Sequence, residues 1–299
     1  DVFGEGDTIS DAEIFGFDYW PMELFKLKNK PAPAQLDGHI IIVTGAGSGI
    51  GRGVALELAK RGAHLVLADI EEAGLIEVEK EFAENKCNPP LLILGDQSKE
   101  ADVQATVTKT IKHFGGLDGV VINAGIGISD KLEDLDVEKW RRGLDINLSS
   151  AFMLTKEAMK VMRKQKMGGS LVYIASKNAF SPGAGFGGYS VSKAGMLQLM
   201  RSASLEGGSA GIRCNGINPD AVFDNSKLWE GGIREQRAAA HGVKPEELED
   251  FYASRNLLNA RVRSLDVARA AAFFLSDESS RTTGSVIAVD GGVAAAFPR

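Results

Sequence analysis

Along most of the chain, apolar runs of strand length alternate with stretches in which apolar residues recur every three or four positions. From His39 onward the runs are HIIIV, HLVLAD, LLILGD, DGVVINAG, SLVYIAS, GIRCNGINP and GSVIAVD. Between them stand the helical patterns GIGRGVALELAKRG, AGLIEVEKEFAE and ADVQATVTKTIKHF, a long one near residues 133–165 and another from about 187 to 206. Strands that read as continuous apolar runs, with no polar alternation, are buried on both faces, as in a parallel sheet covered by helices. The pattern predicts an α/β fold: a Rossmann-type, doubly wound parallel sheet of about seven strands with helices on both faces.

Two regions fall outside this rhythm. Residues 1–38 carry an acidic lead and then DYWPMELFKLKNKPAPAQLDG, in which Pro21 suits the first turn of a helix. Leu24, Phe25 and Leu27 would form a small apolar face, and Pro31 and Pro33 would end it. A short docking helix with a stiff linker and a tail lying on its own domain both fit this stretch. Residues 39–299 read as a single domain. Within it, residues 220–262 are long, charged and helical in places, the character of a lid over a substrate, with Trp229, Phe251, Tyr252 and the pair Leu257 and Leu258 as apolar anchors.

Composition narrows the partners. With 299 residues and a net charge of -6, the chain lacks the clustered Lys and Arg that phosphate-backbone binding needs, so no nucleic acid is expected. Cys87 and Cys214 are too few for a disulfide framework, and His39, His64, His113 and His241 show no ligand spacing; no metal is expected, and a reduced, cytoplasmic setting fits. No apolar run approaches the roughly 20 residues that span a bilayer, and DVFGEGD lacks a signal-peptide pattern, so no membrane is expected. Asp1 is not a methionine, which suits a processed chain or a piece of a longer one.

The sequence TGAGSGIG, Thr44 to Gly51, follows the first strand directly and opens the first helix. Three spaced glycines mean little alone. At a helix N-terminus, however, free N–H groups and the dipole favour an anion, and Gly45, Gly49 and Gly51 let a pyrophosphate approach the backbone. Asp69 closes the second strand, where a carboxylate accepts the ribose hydroxyls of an adenosine and repels a 2′-phosphate. With Ser48 where a basic residue would help a phosphorylated cofactor, the expected cofactor is NAD. Asp96, ending the third strand, either contacts the adenine edge or caps the following helix.

Tyr189 and Lys193 stand four apart, on one face of a predicted helix, and Ser176 precedes Tyr189 by 13 residues. A free phenol titrates near 10, and bringing it to about 7 takes roughly 4 kcal/mol of preferential stabilisation of the phenolate. An exposed ion pair supplies under about 1 kcal/mol. A unit charge at about 4 Å and an effective dielectric near 20 supplies about 4 kcal/mol. Lys193 can activate Tyr189 only inside a partly closed cleft, helped by a cationic nicotinamide ring.

These pieces, with NAG at Asn123, Asn147 in DINLSS, NP at Asn218 and VDGG at Val289, resemble the short-chain dehydrogenase/reductase family over about residues 38–293. The resemblance implies Tyr189 as general acid/base, Ser176 orienting the substrate oxygen, Lys193 lowering the phenol's pKa and holding the nicotinamide ribose, and Asn147 carrying a water-linked proton path to Lys193. It extends the cofactor contacts to Ser48, Ile50, Ile70, Gln97, Asn123, Ala124, Gly125, Pro219 and Val222, and the substrate contacts to Ser176, Asn178, Tyr189 and Trp229. Two positions depart from the family pattern: Asp220 and Asp224 stand where it has Gly and Thr. Lys177 and Asn178 beside Ser176 would suit a polar, anionic or polyhydroxylated substrate, or Lys177 is simply solvated.

YWPMELFKL, ASKNA, NPDAV, REQRAAAHGVKPEELEDFY and VDGGVAAAFPR further resemble the dehydrogenase half of two-domain rhamnulose-1-phosphate aldolase/alcohol dehydrogenases. That resemblance implies an aldolase domain upstream in the same chain, a small hydroxyaldehyde or sugar-derived alcohol such as L-lactaldehyde as substrate, and a place in deoxy-sugar (rhamnose) catabolism. The family's flanking helices imply a homodimer or homotetramer. Direction stays open, with NAD leaning toward oxidation. Two other readings remain: a nucleotide-binding sensing or assembly module without turnover, and a sugar epimerase or dehydratase, which usually carries TGxxGxxG instead.

Overall fold

The computed structural model describes residues 10–18, 20, 24–26, 28 and 32–297. Seven strands form one sheet: β1 Ile40–Thr44, β2 His64–Asp69, β3 Leu91–Leu94, β4 Gly119–Ile122, β5 Gly169–Ile174, β6 Ile212–Pro219 and β7 Val286–Val289. All neighbouring pairs run parallel, in the order β3-β2-β1-β4-β5-β6-β7. The chain starts mid-sheet, builds to one edge, returns and builds to the other. That reversal between β1 and β4 opens a crevice at the carboxyl ends of the strands.

The helices are α1 Gly49–Lys60, α2 Glu72–Glu84, α3 Glu100–Phe114, α4 Val137–Leu144, α5 Ser150–Gln165, α6 Gly187–Gly207, α7 Ile233–His241, α8 Leu248–Ser254 and α9 Ser264–Leu275. Successive strand residues point to opposite faces. Ile41 and Val43 of β1 therefore join one core with Val54, Leu58, Leu75, Phe82 and Phe274, while Ile42 joins a second with Val107, Leu154, Met162 and Met196. Burying each such side chain contributes about 1.5–3 kcal/mol, and the double coverage explains why the strands read as unbroken apolar runs.

The helical pattern near 133–165 does not form one helix. Asp136 caps α4, its Oδ1 accepting the N–H groups of Glu138 and Lys139 at 2.9 and 3.0 Å. Asp145–Ser149 is then a π-helical turn before α5. Asn147 sits in it with its carboxamide clamped to the backbone of one residue: Oδ1 accepts Ile126 N–H at 2.8 Å and Nδ2 donates to Ile126 O at 3.0 Å. A π-turn of this kind often marks a functional site.

Residues Asp1–Ala34 and Gln35–Arg299 are separate compact units. In the first, the helix Asp11–Asp18 starts with a reciprocal cap: Ser10 N–H donates to Glu13 at 2.9 Å, and Glu13 N–H donates to Ser10 Oγ at 3.3 Å. The acidic lead gave no sign of this helix. In the expected docking helix, residues 24–26 are helical. Pro21, Leu27 and Pro31 lie outside the described residues.

Residues 220–262 carry α7, α8 and two short 3₁₀ turns folded on a small core of their own. Ala238, Leu248 and Tyr252 are buried there, with Phe223, Trp229 and Phe251 packed against them. Phe223 and Trp229 stack at 4.2 Å and 9°. Leu257 and Leu258, read as anchors from their apolarity, are 68% and 75% exposed. Their backbone N–H groups bond to Gly292 and Gly291 carbonyls, which turns both side chains outward.

Candidate active site

The strand ends border one cavity of about 510 Å³. At its β1 end, Gly45 and Gly49 take φ of 63° and 49°, backbone that L side chains rarely adopt. A side chain at Gly47 would press on the Asp69 carboxylate, whose Oδ2 accepts Gly47 N–H at 2.8 Å while Oδ1 accepts Glu71 N–H at 3.0 Å. Asp69 is thus fixed at the crevice wall beside Ile70. Asp96 is held well below the ordinary carboxylate range by Ser98, whose hydroxyl and N–H both donate to it. Gln97 borders the cavity, and its buried Oε1 has no partner. An adenine amino group would satisfy such an acceptor. Asn123, Ala124 and Gly125 line the floor, where Asn123 Nδ2 ties the loop through Thr44 O at 2.9 Å and Gly45 O at 3.1 Å.

A glycine cradle at a helix N-terminus, a carboxylate after β2 and an orphaned acceptor after β3 together suit a dinucleotide. One donor of the cradle is spent inside the chain: Gly49 N–H donates to Asn225 O at 2.6 Å, and Ser226 lies against the same glycine. The lid rests on the phosphate loop.

Across the cavity, Ser176 follows β5, and Tyr189 and Lys193 occupy one face of α6, all three nine-tenths buried or more. Ser176 Oγ accepts Asn178 N–H at 3.2 Å, and its hydroxyl faces the phenol and favours the ionised form. Lys193 Nζ donates to Ile174 O at 2.9 Å and lies 5.7 Å from the centre of the Tyr189 ring. Burial pushes the Lys193 amine down to about 8. Burial likewise pushes the Tyr189 phenol up to about 12, against the opposing pull of Ser176. The expected lowering of the phenol by Lys193 is therefore not built into the protein alone. Desolvating a phenolate outweighs an amine that is turned toward a backbone carbonyl and is itself reluctant to stay charged.

Asp220 and Asp224 both tether the lid. Asp220 pairs with Arg255 at 2.9 Å, and Asp224 accepts both the N–H and the hydroxyl of Ser264 at the start of α9. Trp229 donates its indole N–H to Val222 O at 2.7 Å and borders the cavity. Lys227 reaches over to pair with Glu71 beside Asp69. The reading of Ser48 as leaving Asp69 with no basic residue to offset it is corrected here: the lysine comes from a distant segment, which spacing around Asp69 does not reveal.

Of the residues expected from the sequence to contact cofactor or substrate or to take part in catalysis, Gly51 and Asn147 do not border the cavity. A Cβ on Gly51 would lie 2.0 Å from Gly45 O, so its bareness serves the packing of helix on loop. Asn147 is wholly buried, and its Nδ2 also donates to Ser192 Oγ at 3.0 Å. It lies near Lys193 all the same, since a Cβ on Gly125 would meet both Asn147 Oδ1 and Lys193 Nζ within 3.4 Å. Ser48, Ile50, Asn178, Pro219 and Val222 all line the cavity. Arg237 and Tyr252 line it too, and nothing in REQRAAAH set Arg237 apart from a solvated helix face. Among the described residues no helix is long and apolar enough to cross a membrane, and no cluster of metal-ligating side chains occurs.

Comparison with known proteins agrees with this geometry. A family profile described as Enoyl-(Acyl carrier protein) reductase matches residues 45–294. The uncharacterized oxidoreductase YuxG of Bacillus subtilis (strain 168) is 36% identical over the whole chain, which spans 43% of that protein's length. L-rhamnose-1-dehydrogenase of Scheffersomyces stipitis is 33% identical, covering 86% of this chain and 96% of that one. The crystal structure of levodione reductase superposes with a TM-score of 0.81 at 31% identity, covering 88% of this chain and 100% of the other.

Proposed function

The chain belongs to the short-chain dehydrogenase/reductase family of oxidoreductases, whose cofactor is a nicotinamide dinucleotide, and from that premise we propose that it oxidises a small hydroxyaldehyde or sugar-derived alcohol with NAD. The observation that carries this reading is the row of Ser176, Tyr189 and Lys193, buried side by side in one cavity with the glycine cradle. When bound, the dinucleotide supplies or takes up hydride. Gly45, Ser48, Gly49 and Ile50 would hold its pyrophosphate, Asp69 its ribose and Asp96 and Gln97 its adenine edge. On the substrate side, Ser176 donates a hydrogen bond to the reacting oxygen and Tyr189 exchanges a proton with it.

Asp69 and Glu71 at the adenosine end are opposed by Lys227, which leaves net negative charge where a 2′-phosphate would sit. This supports NAD over NADP. The walls supplied by Asn178, Trp229 and Arg237 support a small polar substrate, L-lactaldehyde being the specific candidate. The relative named L-rhamnose-1-dehydrogenase supports a sugar-derived compound, and the proposal extends to deoxy-sugar breakdown in the cytoplasm. An aldolase-fused polypeptide assembled as a dimer or tetramer belongs to the same proposal; the chain spans 43% of YuxG, a relative with room for a further domain.

The test is turnover on a panel of short hydroxyaldehydes, diols and deoxy sugars with both nucleotides, followed by absorbance of the reduced ring. Turnover of a hydroxyaldehyde at least tenfold faster with NAD is expected. A preference for NADP would overturn the Asp69 argument. Failure of the whole panel while NADH still binds would return the chain to a nucleotide-sensing role.

A further inference from the structure

Beyond the Ser176–Tyr189 pair, two buried cations border the lid end of the cavity, which Asp220 and Glu230 also line. Lys177, next to Ser176, and Arg237 of α7 both border the cavity, yet are only 8% and 7% exposed. Their hydrogen-bond partners are uncharged. Lys177 Nζ donates to Ser181 O at 3.2 Å, and Arg237 donates to Ala184 O at 3.0 Å and meets His241 Nε2 at 3.0 Å. Burial and the surrounding cations push His241 down to about 4, so near neutral pH it is an uncharged acceptor. The carboxylate that acts most on Lys177, Asp220, is itself paired with Arg255, and Asp290 acts on Lys177 as the weakest of its neighbours. Among the described residues neither Lys177 nor Arg237 makes an ion pair.

Long cationic side chains normally carry their heads out to water, and burying two of them, with Asp220 shared between Lys177 and Arg255, is costly. Their contacts to carbonyls, to His241 and to the Phe186 ring hold the two side chains in place but supply no negative charge; a negatively charged guest would. The position suits a guest that reaches the reacting group. The Arg237 guanidinium lies 5.3 Å from the Phe186 ring, which packs 4.8 Å from the Tyr189 ring, so the cation stands one aromatic ring from the phenol. Gly183 joins this wall to the serine side, since a Cβ there would approach both Arg237 and Asn178. Burial pulls the Lys177 amine down and Asp220 pulls it up, and an anion beside it would hold it protonated.

We propose that Lys177 and Arg237 form an anion subsite and that the ligand it retains is the carboxylate of a short hydroxy acid. This rests on the oxidative reading above, applied to the hydrate that the hydroxyaldehyde forms with water: one hydroxyl of the hydrated carbon gives its proton to Tyr189, the C–H gives its hydride to NAD, and the hydroxy acid that results ionises to the carboxylate. A carboxylate oxygen accepts from both cations, while the hydroxyl of the same molecule stays within the polar wall of Asn178 and Ser176. The sequence neighbour of the orienting serine thereby selects the charge of the ligand.

The experiment is calorimetric titration of the enzyme–NADH complex with L-lactate, with propane-1,2-diol as its uncharged counterpart, and with inorganic phosphate. L-lactate is expected to bind at least tenfold more tightly than the diol. Lys177→Met and Arg237→Met should each weaken lactate at least tenfold and leave the diol within about twofold, while Lys177→Arg keeps most of the affinity. Unchanged NADH affinity and circular dichroism in each variant establish that the fold is intact. Equal affinity for lactate and diol, or lactate binding indifferent to both methionine variants, would overturn the subsite. Phosphate binding more tightly than lactate would overturn the carboxylate assignment. The lactate pattern without turnover of any hydroxyaldehyde would sink the proposed reaction and leave the subsite standing; turnover without the pattern would do the reverse.

Discussion

Tyr189→Phe is expected to reduce turnover at least a hundredfold while NADH binding, followed by fluorescence of the bound ring, changes by no more than about twofold. The substitution removes one oxygen and keeps the ring, which packs with Ile128 and Phe186 in a small buried cluster. Stability should therefore hold. What disappears is the hydroxyl beside Ser176 that would pass a proton to or from a substrate oxygen. Equal losses in kcat and kcat/KM would show that the missing interaction belongs to the transition state.

Lys193→Met should be nearly as damaging to activity and should behave in the opposite way in stability. Turnover is expected to fall at least a hundredfold, and the dinucleotide to bind about tenfold more weakly for loss of a charge-assisted hydrogen bond. The amine is nearly inaccessible and makes one bond, to Ile174 O. An isosteric apolar chain removes a buried charge without leaving a cavity, so the melting temperature should stay level or rise. The sign with pH follows from an amine pushed down to about 8 in the folded state against its ordinary 10.5. Between those values the unfolded chain binds the extra proton, so the wild-type protein gains stability as pH rises from about 8 to 10.5. The methionine variant should lack that rise, which denaturant titrations at several pH values would show.

The sheet was legible because both of its faces are covered. Runs such as HIIIV and HLVLAD carry no alternation, and each became a strand at nearly the expected bounds. The glycine cradle and the Ser176, Tyr189 and Lys193 row were legible because their spacing is local: a strand feeding a helix, or four residues on one helical face. Contacts made over long separations left no local trace. Lys227 beside Asp69, Arg255 on Asp220 and Ser264 under Asp224 each join residues 35 or more positions apart, through the lid. Arg237 reads as one more charge in a polar helix until the fold buries it. Leu257 and Leu258 failed in the other direction, because apolarity says nothing about which way a turn points a side chain. The π-turn at Asp145–Ser149 was invisible too, for its Asn147 grips the backbone of Ile126, 21 residues earlier.

The central claim is that Tyr189 sits where burial alone keeps its proton on and a positive charge brought into the same pocket loosens it. A unit charge at about 4 Å and an effective dielectric near 20 is worth about 4 kcal/mol, or roughly three pH units. The direct measurement is the ultraviolet phenolate absorbance of wild-type protein minus that of Tyr189→Phe, titrated from pH 7 to 11 with and without saturating NAD. The account predicts little phenolate from Tyr189 in the protein alone, reaching only about a tenth at the top of that range, because the phenol is pushed up to about 12, and a phenolate signal growing in by about pH 9 once NAD is bound. A phenolate already present near neutral pH without NAD, or none at any pH with it, would contradict the account.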